Sequence, residues 1–438
     1  MKAVPEPKKD LRIGGTMYKL SRFNVRFERL PGSFLWNTLT GALIKLDYNA
    51  KHWMDNFDGT DDTSTYFKIL LDNGCIVPDV YDELGKVLFD EKAVLLNERP
   101  TVISHIIAPG LGCNYSCPYC FERGHAADPP MDRTMQDEVC DFIIAGAERD
   151  DRLEALGITW FGGEPLLYLD AIEHMSSRLI AYCEERGVSY RARIVTNGRL
   201  LTAEAAEILA GCKVADAQIS VDGTGGAYER SKGARPGDFE AVVSNIEACA
   251  DMIHITVRIN VADDGASALE LSRHLLSERT LDGRIKVYAA HVRDYTGHTA
   301  EDEEHASHEA FLSFSHRFMA QFGEGGPYSA ESLMPLSPAR RCTACQSICA
   351  PNFCIGPGGK LWRCEHHLGR DELSVGSVAD GRSYTGVDQA YLLHRHREEC
   401  LRCAFLPVCL GGCPNDGAVL ACRSFQESLI DNLMFGRE

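Results

Sequence analysis

Short apolar runs alternate with helical segments between about residue 100 and residue 295. The runs are rich in β-branched residues and end in polar or glycine-rich motifs; they read TVISHIIAP, GITWF, RARIVT, AQISV, HITVRINV and RIKVYAAHV. Between them, apolar residues recur at helical spacing in segments such as DEVCDFIIAGAE, LDAIEHMSSRLIAYCEER, AEAAEILAGC and DFEAVVSNIEACADM. Six repeats at roughly 30 to 45 residues predict a parallel β/α array, and hence an α/β fold.

The stretch from residue 1 to about residue 98 has a different pattern. It contains Cys75 as its one cysteine and mixes apolar strands with short helical patterns, such as SFLWNTLTGALIKL over 33–46 and STYFKILLDNGCIV over 64–77. These features predict a small separate domain. Acidic residues around 301–309 and glycines at 323–326 mark a connection, after which a cysteine-rich region begins.

Length and charge narrow the function. A chain of 438 residues is long enough for two or three domains. Its formal net charge of -18 would repel phosphate backbones, so nucleic acid is not expected as a partner. The apolar runs are too short to cross a bilayer, and the opening MKAVPEPKKDLR lacks the apolar core of a secretory signal. We therefore expect no membrane association and a cytoplasmic location.

The chain has eighteen cysteines. Without an export signal they are not expected to form a disulfide framework, because cytosolic thiols stay reduced, so their number indicates metal or redox chemistry. Most of them are concentrated at 113–120, 342–364 and 400–422. The remaining ones lie in apolar or helical settings and are predicted to be ordinary buried residues; they are Cys75, Cys140, Cys183, Cys212 and Cys249.

Polar motifs follow the predicted strands in a consistent way. CNYSCPYC follows the first run, GGEPLL the second, TNG the third and DGTGG the fourth, while Arg258 and Asn260 lie within the fifth. In a parallel β/α array the residues that carry chemistry lie just past the carboxyl ends of the strands. The sequence therefore predicts one site at this edge of the sheet.

Cys113, Cys117 and Cys120 form the first cysteine group, with the spacing C-x3-C-x2-C. This spacing differs from the paired C-x2-C of zinc fingers and from the ferredoxin run. Three thiolates on one loop are able to bind three irons of a 4Fe-4S cluster and to leave the fourth iron open for an external ligand. The alternative is a structural zinc site with a fourth ligand such as His125.

Together with Tyr119, these cysteines resemble the signature of the radical S-adenosylmethionine (SAM) enzymes. The resemblance implies a partial (β/α)6 TIM-like barrel, SAM chelating the open iron, and reductive cleavage of SAM to a 5′-deoxyadenosyl radical. It also implies that the GGEP motif faces the SAM ammonium, that Ser220 and Arg258 bind the SAM carboxylate, and that Asn197 lines the same cavity; the motif consists of Gly162, Gly163, Glu164 and Pro165. A plain tight turn for GGEP and a structural ion pair for Arg258 are the alternatives.

The C-terminal cysteines are similar to the SPASM extension of radical SAM peptide-modifying enzymes. The similarity consists of G-x4-C ending at Cys364, then C-x2-C-x5-C-x3-C followed by one more cysteine. It implies two auxiliary 4Fe-4S clusters, and so three clusters in all. The first would be held by Cys345, Cys349, Cys364 and Cys413, and the second by Cys400, Cys403, Cys409 and Cys422. Cys342 and Cys354 remain alternatives to Cys345, an incomplete first set would leave an iron open for a substrate thiolate, and two zinc sites are the alternative to clusters.

The N-terminal segment YKLSRFNVRFERLPGSFLWNTLTGALIKL resembles the start of maturases for ribosomally made peptides. In those enzymes a small winged-helix-like domain pairs a strand edge with the leader of a precursor peptide. The resemblance implies a leader-recognition domain over 1–98, a radical SAM barrel over 99–315 and a SPASM domain over 316–438. A structural cap on the barrel is the alternative for the first domain.

The implied reaction is hydrogen abstraction from a precursor peptide followed by formation of a cysteine thioether, of the sactipeptide or ranthipeptide type. A flavodoxin- or ferredoxin-type protein would supply the reducing electron. Asp222 would act as a base or as a substrate contact, or it would only cap the next helix. The alternatives are formylglycine formation as in anaerobic sulfatase maturases, carbon-carbon crosslinking, epimerisation, and a non-catalytic iron-sulfur electron carrier.

Overall fold

A computed structural model describes nine ranges of the chain, namely 16–60, 64–122, 129–261, 265–291, 308–323, 325–334, 336–345, 348–413 and 422–434. The chain forms two compact units. Unit 1 contains residues 1–93, 338–344 and 395–412, and unit 2 contains 94–337, 345–394 and 413–438. Neither unit is a single stretch of sequence, so the three functional domains drawn from the sequence remain a prediction.

Unit 1 begins with five short strands and the first helices of the chain. Strands β2, β3 and β4 form an antiparallel sheet in that order, while β1 pairs with β5. Helices α1 and α2 each begin at a polar side chain, Asp47 and Ser64, that accepts a hydrogen bond from a backbone N–H of the first turn. The bounds are β1 Tyr18–Leu20, β2 Asn24–Arg29, β3 Gly32–Asn37, β4 Leu43–Leu46, α1 Tyr48–Asp55, α2 Thr65–Asp72, β5 Ile76–Pro78 and α3 Glu83–Leu95.

The helical pattern over 33–46 is wrong, because this segment forms the β3–β4 hairpin. Phe34, Leu35 and Trp36 are all buried, so β3 has apolar residues on both faces and lacks the alternation that marks a half-buried strand. The Asn37 side chain stabilises the turn, since its Oδ1 accepts hydrogen bonds from the backbone N–H groups of Leu39 and Thr40 at 3.1 and 2.9 Å. The second helical pattern, over 64–77, is confirmed for its first part by α2, whereas Ile76 and Val77 at its end belong to β5.

The core of unit 1 draws on distant parts of the chain. Buried Phe23 packs in one cluster with Leu406 and Leu410, which lie more than 380 residues later. The Trp36 ring meets the Phe405 ring edge to face, with centroids 5.7 Å apart. The segment 395–412 therefore completes the interior of the N-terminal unit.

Unit 2 is built on six parallel strands that pair in sequence order, from β6 to β11. The strands are β6 Val102–Ile107, β7 Ala155–Trp160, β8 Ser189–Thr196, β9 Val214–Ser220, β10 His254–Val261 and β11 Lys286–His291. Helices follow the strands, at α4 Arg133–Ala147, α5 Leu169–Arg186, α6 Ala203–Gly211, α7 Gly225–Lys232, α8 Asp238–Cys249, α9 Ala266–Arg273 and α10 His308–Met319. The predicted α/β fold with a partial (β/α)6 barrel is confirmed.

The cysteine-rich region extends the same sheet. Strand β12 (Cys354–Ile355) pairs in parallel with β6, and β13 (Lys360–Trp362), β14 (Gly376–Ser377) and β15 (Gly381–Arg382) continue the sheet in antiparallel order. The remaining helices are α11 Gly386–Leu392, α12 Glu398–Arg402, α13 Leu406–Cys409 and α14 Cys422–Met434. Of the helices in the described ranges, none is both long and apolar enough to cross a membrane.

Candidate active site at the carboxyl ends of the parallel strands

The strands of unit 2 bring the predicted site residues to one edge of the sheet. The cysteine loop follows β6, the GGEP motif follows β7 and Asn197 follows β8. Ser220 and Arg258 are direct neighbours in the register of β9 and β10, and the carbonyl of Arg258 accepts a hydrogen bond from the Val221 N–H at 3.0 Å. Ser220 and Arg258, the two residues predicted to bind the SAM carboxylate, therefore lie side by side on neighbouring strands.

The GGEP motif is packed directly against the start of the cysteine loop. A Cβ atom at Gly163 would lie 2.4 Å from the carbonyl oxygens of both Leu111 and Gly112, so only glycine fits there. The next residue, Glu164, donates its N–H to the Gly112 carbonyl at 2.9 Å. The motif is therefore more than an isolated tight turn, because it holds the residues that precede Cys113.

Glu164 is fully buried and connects the ends of β7 and β8. Its Oε1 accepts hydrogen bonds from the Leu166 N–H at 3.0 Å and the Thr196 hydroxyl at 2.7 Å, and its Oε2 accepts one from the Asn197 N–H at 2.8 Å. Burial raises the pKa of this carboxyl group, while these three hydrogen bonds act in the opposite direction. A contact from Glu164 to the SAM ammonium stays a prediction.

The three thiols of the loop lie close enough for their charges to affect each other. Burial raises the pKa of Cys113 to about 11 and that of Cys120 to about 12. Burial also raises the pKa of Cys117, and the Lys232 charge opposes this. Binding iron must therefore remove protons from thiols that the protein alone keeps neutral.

The donor set of this loop fits an iron-sulfur cluster. The Cys113 Sγ lies 3.4 Å from the Tyr115 N–H group and 3.9 Å from the Asn197 amide. Across the described parts of the chain, no three His, Cys, Asp or Glu side chains converge where a single metal ion would bind. Thiolates are the donors that iron-sulfur clusters use, and each of the three cysteines would bind a different iron. The alternative zinc ligand, His125, lies outside the described residues.

Asp222, whose side chain is buried, lies in a hydrogen-bond network at the end of β9 that also includes the exposed Tyr119. Its Oδ2 is 2.8 Å from the Lys232 ammonium and accepts a hydrogen bond from the Tyr119 hydroxyl, and its Oδ1 accepts one from the Asn260 N–H at 3.2 Å. The N-cap of α7 is Thr224, so the helix-capping interpretation of Asp222 is wrong. A role for Asp222 as base or substrate contact stays a prediction.

Two residues of this site have no counterpart among the sequence predictions. Lys232, at the end of α7, bonds to both Asp222 and Tyr119. The His366 ring lies edge to face against the Phe121 ring, with centroids 4.2 Å apart, and the Arg258 charge acts on it. His366 follows the predicted ligand Cys364 by two positions, and this position is the sequence feature that indicates it. A lysine at a helix end gives no comparable signal.

The cysteines predicted for the first auxiliary cluster all lie in unit 2. The charges of Cys345 and Cys413 act on the Cys364 thiol, whose pKa burial raises. The fully buried Arg363 donates to the carbonyl of Cys349 at 2.9 Å. These contacts bring elements of the predicted ligand set together, and the set itself stays a prediction.

The position of the alternative ligands bears on the choice of Cys345. Cys354 lies in β12, and its side chain packs in an apolar cluster that includes Trp362. Cys342 belongs to the 338–344 segment of unit 1, whereas Cys345 lies in unit 2 with Cys364. The charges of Cys345 and Cys364 also act on the Cys354 thiol, so the choice of Cys345 stays a prediction.

The second predicted set is divided between the units. Cys400, Cys403 and Cys409 belong to unit 1, and Cys422 begins α14 in unit 2. Within unit 1 the Cys403 Sγ accepts a hydrogen bond from the Phe405 N–H at 3.4 Å, and the Arg22 guanidinium donates to the Leu401 carbonyl at 2.5 Å. The cysteines outside the three groups, namely Cys75, Cys140, Cys183, Cys212 and Cys249, are buried as predicted.

Sequence comparison gives one matching family and two relatives. Residues 107–264 match the family model of the Radical SAM superfamily. An AdoMet-dependent heme synthase of Methanosarcina barkeri (strain Fusaro / DSM 804) is 29% identical over 172 residues, which cover 37% of this chain and 45% of that protein. An Fe-coproporphyrin III synthase of the same strain is 24% identical over 338 residues, or 68% of this chain and 80% of that protein. The chain thus spans less than half the length of the first of these relatives.

Two solved structures share the fold at low sequence identity. Native anSMEcpe with bound AdoMet and Cp18Cys peptide has a TM-score of 0.57 and 17% identity, covering 76% of this chain and 99% of that one. Streptococcus suis SuiB bound to precursor peptide SuiA has a TM-score of 0.53 and 16% identity, covering 93% of this chain and 100% of that one. At such identities the likeness shows the fold.

Proposed function

We propose that this chain, whose residues 107–264 form a radical SAM domain, modifies a precursor peptide by joining a cysteine sulfur to a carbon atom of another residue. The observation that carries the proposal is the three-cysteine loop, which is held at the carboxyl ends of the strands where Ser220 and Arg258 are neighbours. The peptide assignment is supported by the fold shared with anSMEcpe and SuiB, both solved with a peptide bound. The three-stranded sheet of unit 1 offers edges to which an extended peptide is able to add.

The residues of the site have separate tasks under this proposal. Cys113, Cys117 and Cys120 hold a 4Fe-4S cluster, and Ser220 and Arg258 bind the carboxylate of SAM. The cluster and SAM, when bound, supply a radical that removes a hydrogen atom from carbon. Arg258 is oriented by a 2.9 Å hydrogen bond from its Nε to the Asn260 Oδ1, which fixes the plane of its donors.

Thioether formation removes one hydrogen from sulfur and one from carbon. The peptide therefore loses two hydrogens with their two electrons, of which hydrogen abstraction takes one. The second electron needs an acceptor, and we assign this task to the auxiliary 4Fe-4S clusters predicted from the C-terminal cysteines. A flavodoxin- or ferredoxin-type protein is the proposed donor of the electron that starts each cycle.

The direct test uses the full chain, purified without oxygen and loaded with iron and sulfide. A short cysteine-bearing reading frame beside the gene would supply the peptide, and reduced flavodoxin the electrons. We expect mass spectrometry to show a peptide lighter by two hydrogens whose cysteine no longer reacts with iodoacetamide. A peptide that stays alkylatable while SAM is consumed would contradict the thioether and favour an epimerising or crosslinking reaction.

Leader binding by strand addition predicts a position-specific effect of proline in β4, an end strand of its sheet. Adjacent residues of an edge strand direct their N–H groups to opposite sides, so of Ile44 and Lys45 one faces the partner strand and one faces outward. Proline at the outward position removes a donor that the leader needs. We expect the affinity for a fluorescent leader peptide to fall by about tenfold with little change in melting temperature.

The matched controls are proline variants at Arg26 and Phe27 of β2, the other end strand of the same sheet. If proline in β2 weakened leader binding and proline in β4 did not, the leader would add to β2 instead. Unchanged binding in all four variants would reject strand addition to this sheet.

A porphyrin substrate is a second candidate, because both curated relatives are named for heme or coproporphyrin synthesis. Parallel anaerobic incubations with the peptide and with Fe-coproporphyrin III separate the two. Porphyrin consumption, followed by its visible absorption, together with an unmodified peptide would replace our proposal with this one.

A further inference from the structure

Lys232 is a buried cation in the interior of unit 2. Its side chain is 4% exposed, although lysine is among the residues least often buried unless paired. Its ammonium lies 2.8 Å from the Asp222 carboxylate and 2.7 Å from the Tyr119 hydroxyl. Tyr119 in turn donates to Asp222, so the three side chains form a closed triangle of hydrogen bonds.

This triangle joins two elements that are far apart in sequence. Tyr119 stands between Cys117 and Cys120, two of the predicted cluster ligands, and Asp222 is fixed to β10 through the Asn260 N–H. Lys232 closes the triangle from the last turn of α7. The second half of the cysteine loop is thereby attached to the end of the sheet through side chains.

The backbone of Lys232 meets the same loop. Its carbonyl accepts a hydrogen bond from the Ser116 N–H at 3.2 Å, and the Cys117 thiol approaches it at 3.6 Å. The next residue, Gly233, has a left-handed backbone with φ of 57°, and a Cβ there would lie 2.4 Å from the Ser116 Oγ. The end of α7 therefore contacts the cysteine loop through the side chain and the main chain of one residue.

We propose that Lys232 is a positioning residue of the SAM-cluster site. By holding Tyr119 against Asp222, it fixes Cys117 and Cys120 in the arrangement that the cluster and SAM require. The inference rests on the cofactor site of the proposed function and does not depend on which substrate is modified. The competing interpretation is that Lys232 only neutralises a buried carboxylate.

The test compares Lys232→Met, Lys232→Arg and Tyr119→Phe in the full chain after anaerobic loading with iron and sulfide. For Lys232→Met we expect SAM to bind about 10- to 100-fold more weakly, as for other groups that orient metal ligands. We also expect the electron paramagnetic resonance signal of the reduced cluster to lose its response to added SAM. Lys232→Arg keeps the charge and should recover part of both readouts.

Tyr119→Phe distinguishes positioning from neutralisation, because it leaves the Lys232–Asp222 pair intact. We expect it to weaken SAM binding in the same direction, and the double variant Tyr119→Phe with Lys232→Met to be no worse than Lys232→Met alone. Wild-type SAM binding in Tyr119→Phe would overturn the proposal, and this variant serves even if Lys232→Met fails to fold.

Lys213→Met is the matched control, since it removes an exposed lysine of the same domain that pairs with Glu184 at 2.6 Å. It should leave SAM binding and the resonance signal unchanged. None of these readouts uses a peptide. A failure of the proposed peptide reaction therefore leaves them intact, while a wild-type response in Lys232→Met and Tyr119→Phe overturns the inference alone.

Discussion

Replacing Cys117 by alanine should abolish SAM cleavage and leave the rest of the protein folded. The side chain is half-buried and its thiol contacts the Lys232 carbonyl, so the substitution removes one sulfur and little packing. A cluster that loses one of its three protein thiolates is not expected to remain bound, and iron content should fall by about four atoms per chain. Release of 5′-deoxyadenosine, measured by liquid chromatography, should drop to the level seen without protein.

Cys140→Ala provides the control, because Cys140 is a fully buried cysteine of α4 in the same domain. It should cost some stability and no iron. Equal losses of iron in both variants would mean that the first effect reports misfolding. Normal SAM cleavage in Cys117→Ala would remove the basis of the proposed function.

Replacing Arg363 by methionine should have the largest effect on stability and on the first auxiliary site. Arg363 is fully buried in an ion pair with Asp388, whose side chain is also fully buried. It further donates to the carbonyls of Cys349, Ala350 and Asn352 at 2.9 to 3.0 Å. Asp388 also pairs with Arg382 at 2.8 Å and so keeps one partner, and we expect a loss of about 3 kcal/mol of unfolding free energy, the low end of the range for buried pairs.

The 349–352 turn and Cys364 both lose their support when Arg363 is removed, so the iron of the first auxiliary cluster should be lost before that of the SAM cluster. Iron analysis and urea unfolding of the anaerobic protein measure the two effects. In Arg363→Met with Asp388→Leu, an apolar pair replaces the ion pair, which should restore part of the stability and none of the carbonyl contacts. Arg382 loses Asp388 in this variant and keeps its pair with Glu98. If auxiliary iron also returned in that double variant, the contact to Cys349 would not matter.

Arg178→Met is the comparison for a partly exposed arginine that pairs with Asp137 and Asp141. Partly exposed ion pairs contribute about 0–1 kcal/mol, so this variant should unfold close to wild type. A loss of stability as large as that of Arg363→Met would mean that burial is not the source of the effect.

The sequence predicts the β/α repeats of unit 2 because the spacing of their apolar residues matches the face that each helix or strand buries. The segment LDAIEHMSSRLIAYCEER coincides with α5, and the six strand runs all form strands of the parallel sheet. The β3–β4 hairpin was misread because three consecutive apolar residues are buried on both faces of β3, a pattern shared by strands and helices. Leu35 packs with Leu46 and Ala50, whereas the Trp36 ring contacts Phe405, a residue that no local window contains.

The sequence predicts those site residues whose type and spacing form a motif. It does not predict residues that join the site only because the fold brings them close. Three cysteines in eight positions are visible in the sequence, as is GGEP. The partners of Asp222 are not, because Tyr119 and Lys232 lie 103 and 10 residues away, respectively, and meet it only through the fold. Glu164 shows the same limit: its motif was recognised, but its bonds to Thr196 and Asn197 come from the next strand.

The discontinuous composition of unit 1 has a consequence for biosynthesis. A ribosome releases Phe23 and Trp36 early, whereas Leu406, Phe405 and Leu410, which cover them in the folded chain, emerge only when synthesis is nearly complete. During that interval we expect the nascent N-terminal part to expose aromatic surface, which is the kind of surface that chaperones bind. A recombinant fragment that stops near residue 95 would lack the residues that cover Phe23 and Trp36. We expect it to aggregate unless the 395–412 segment is supplied with it.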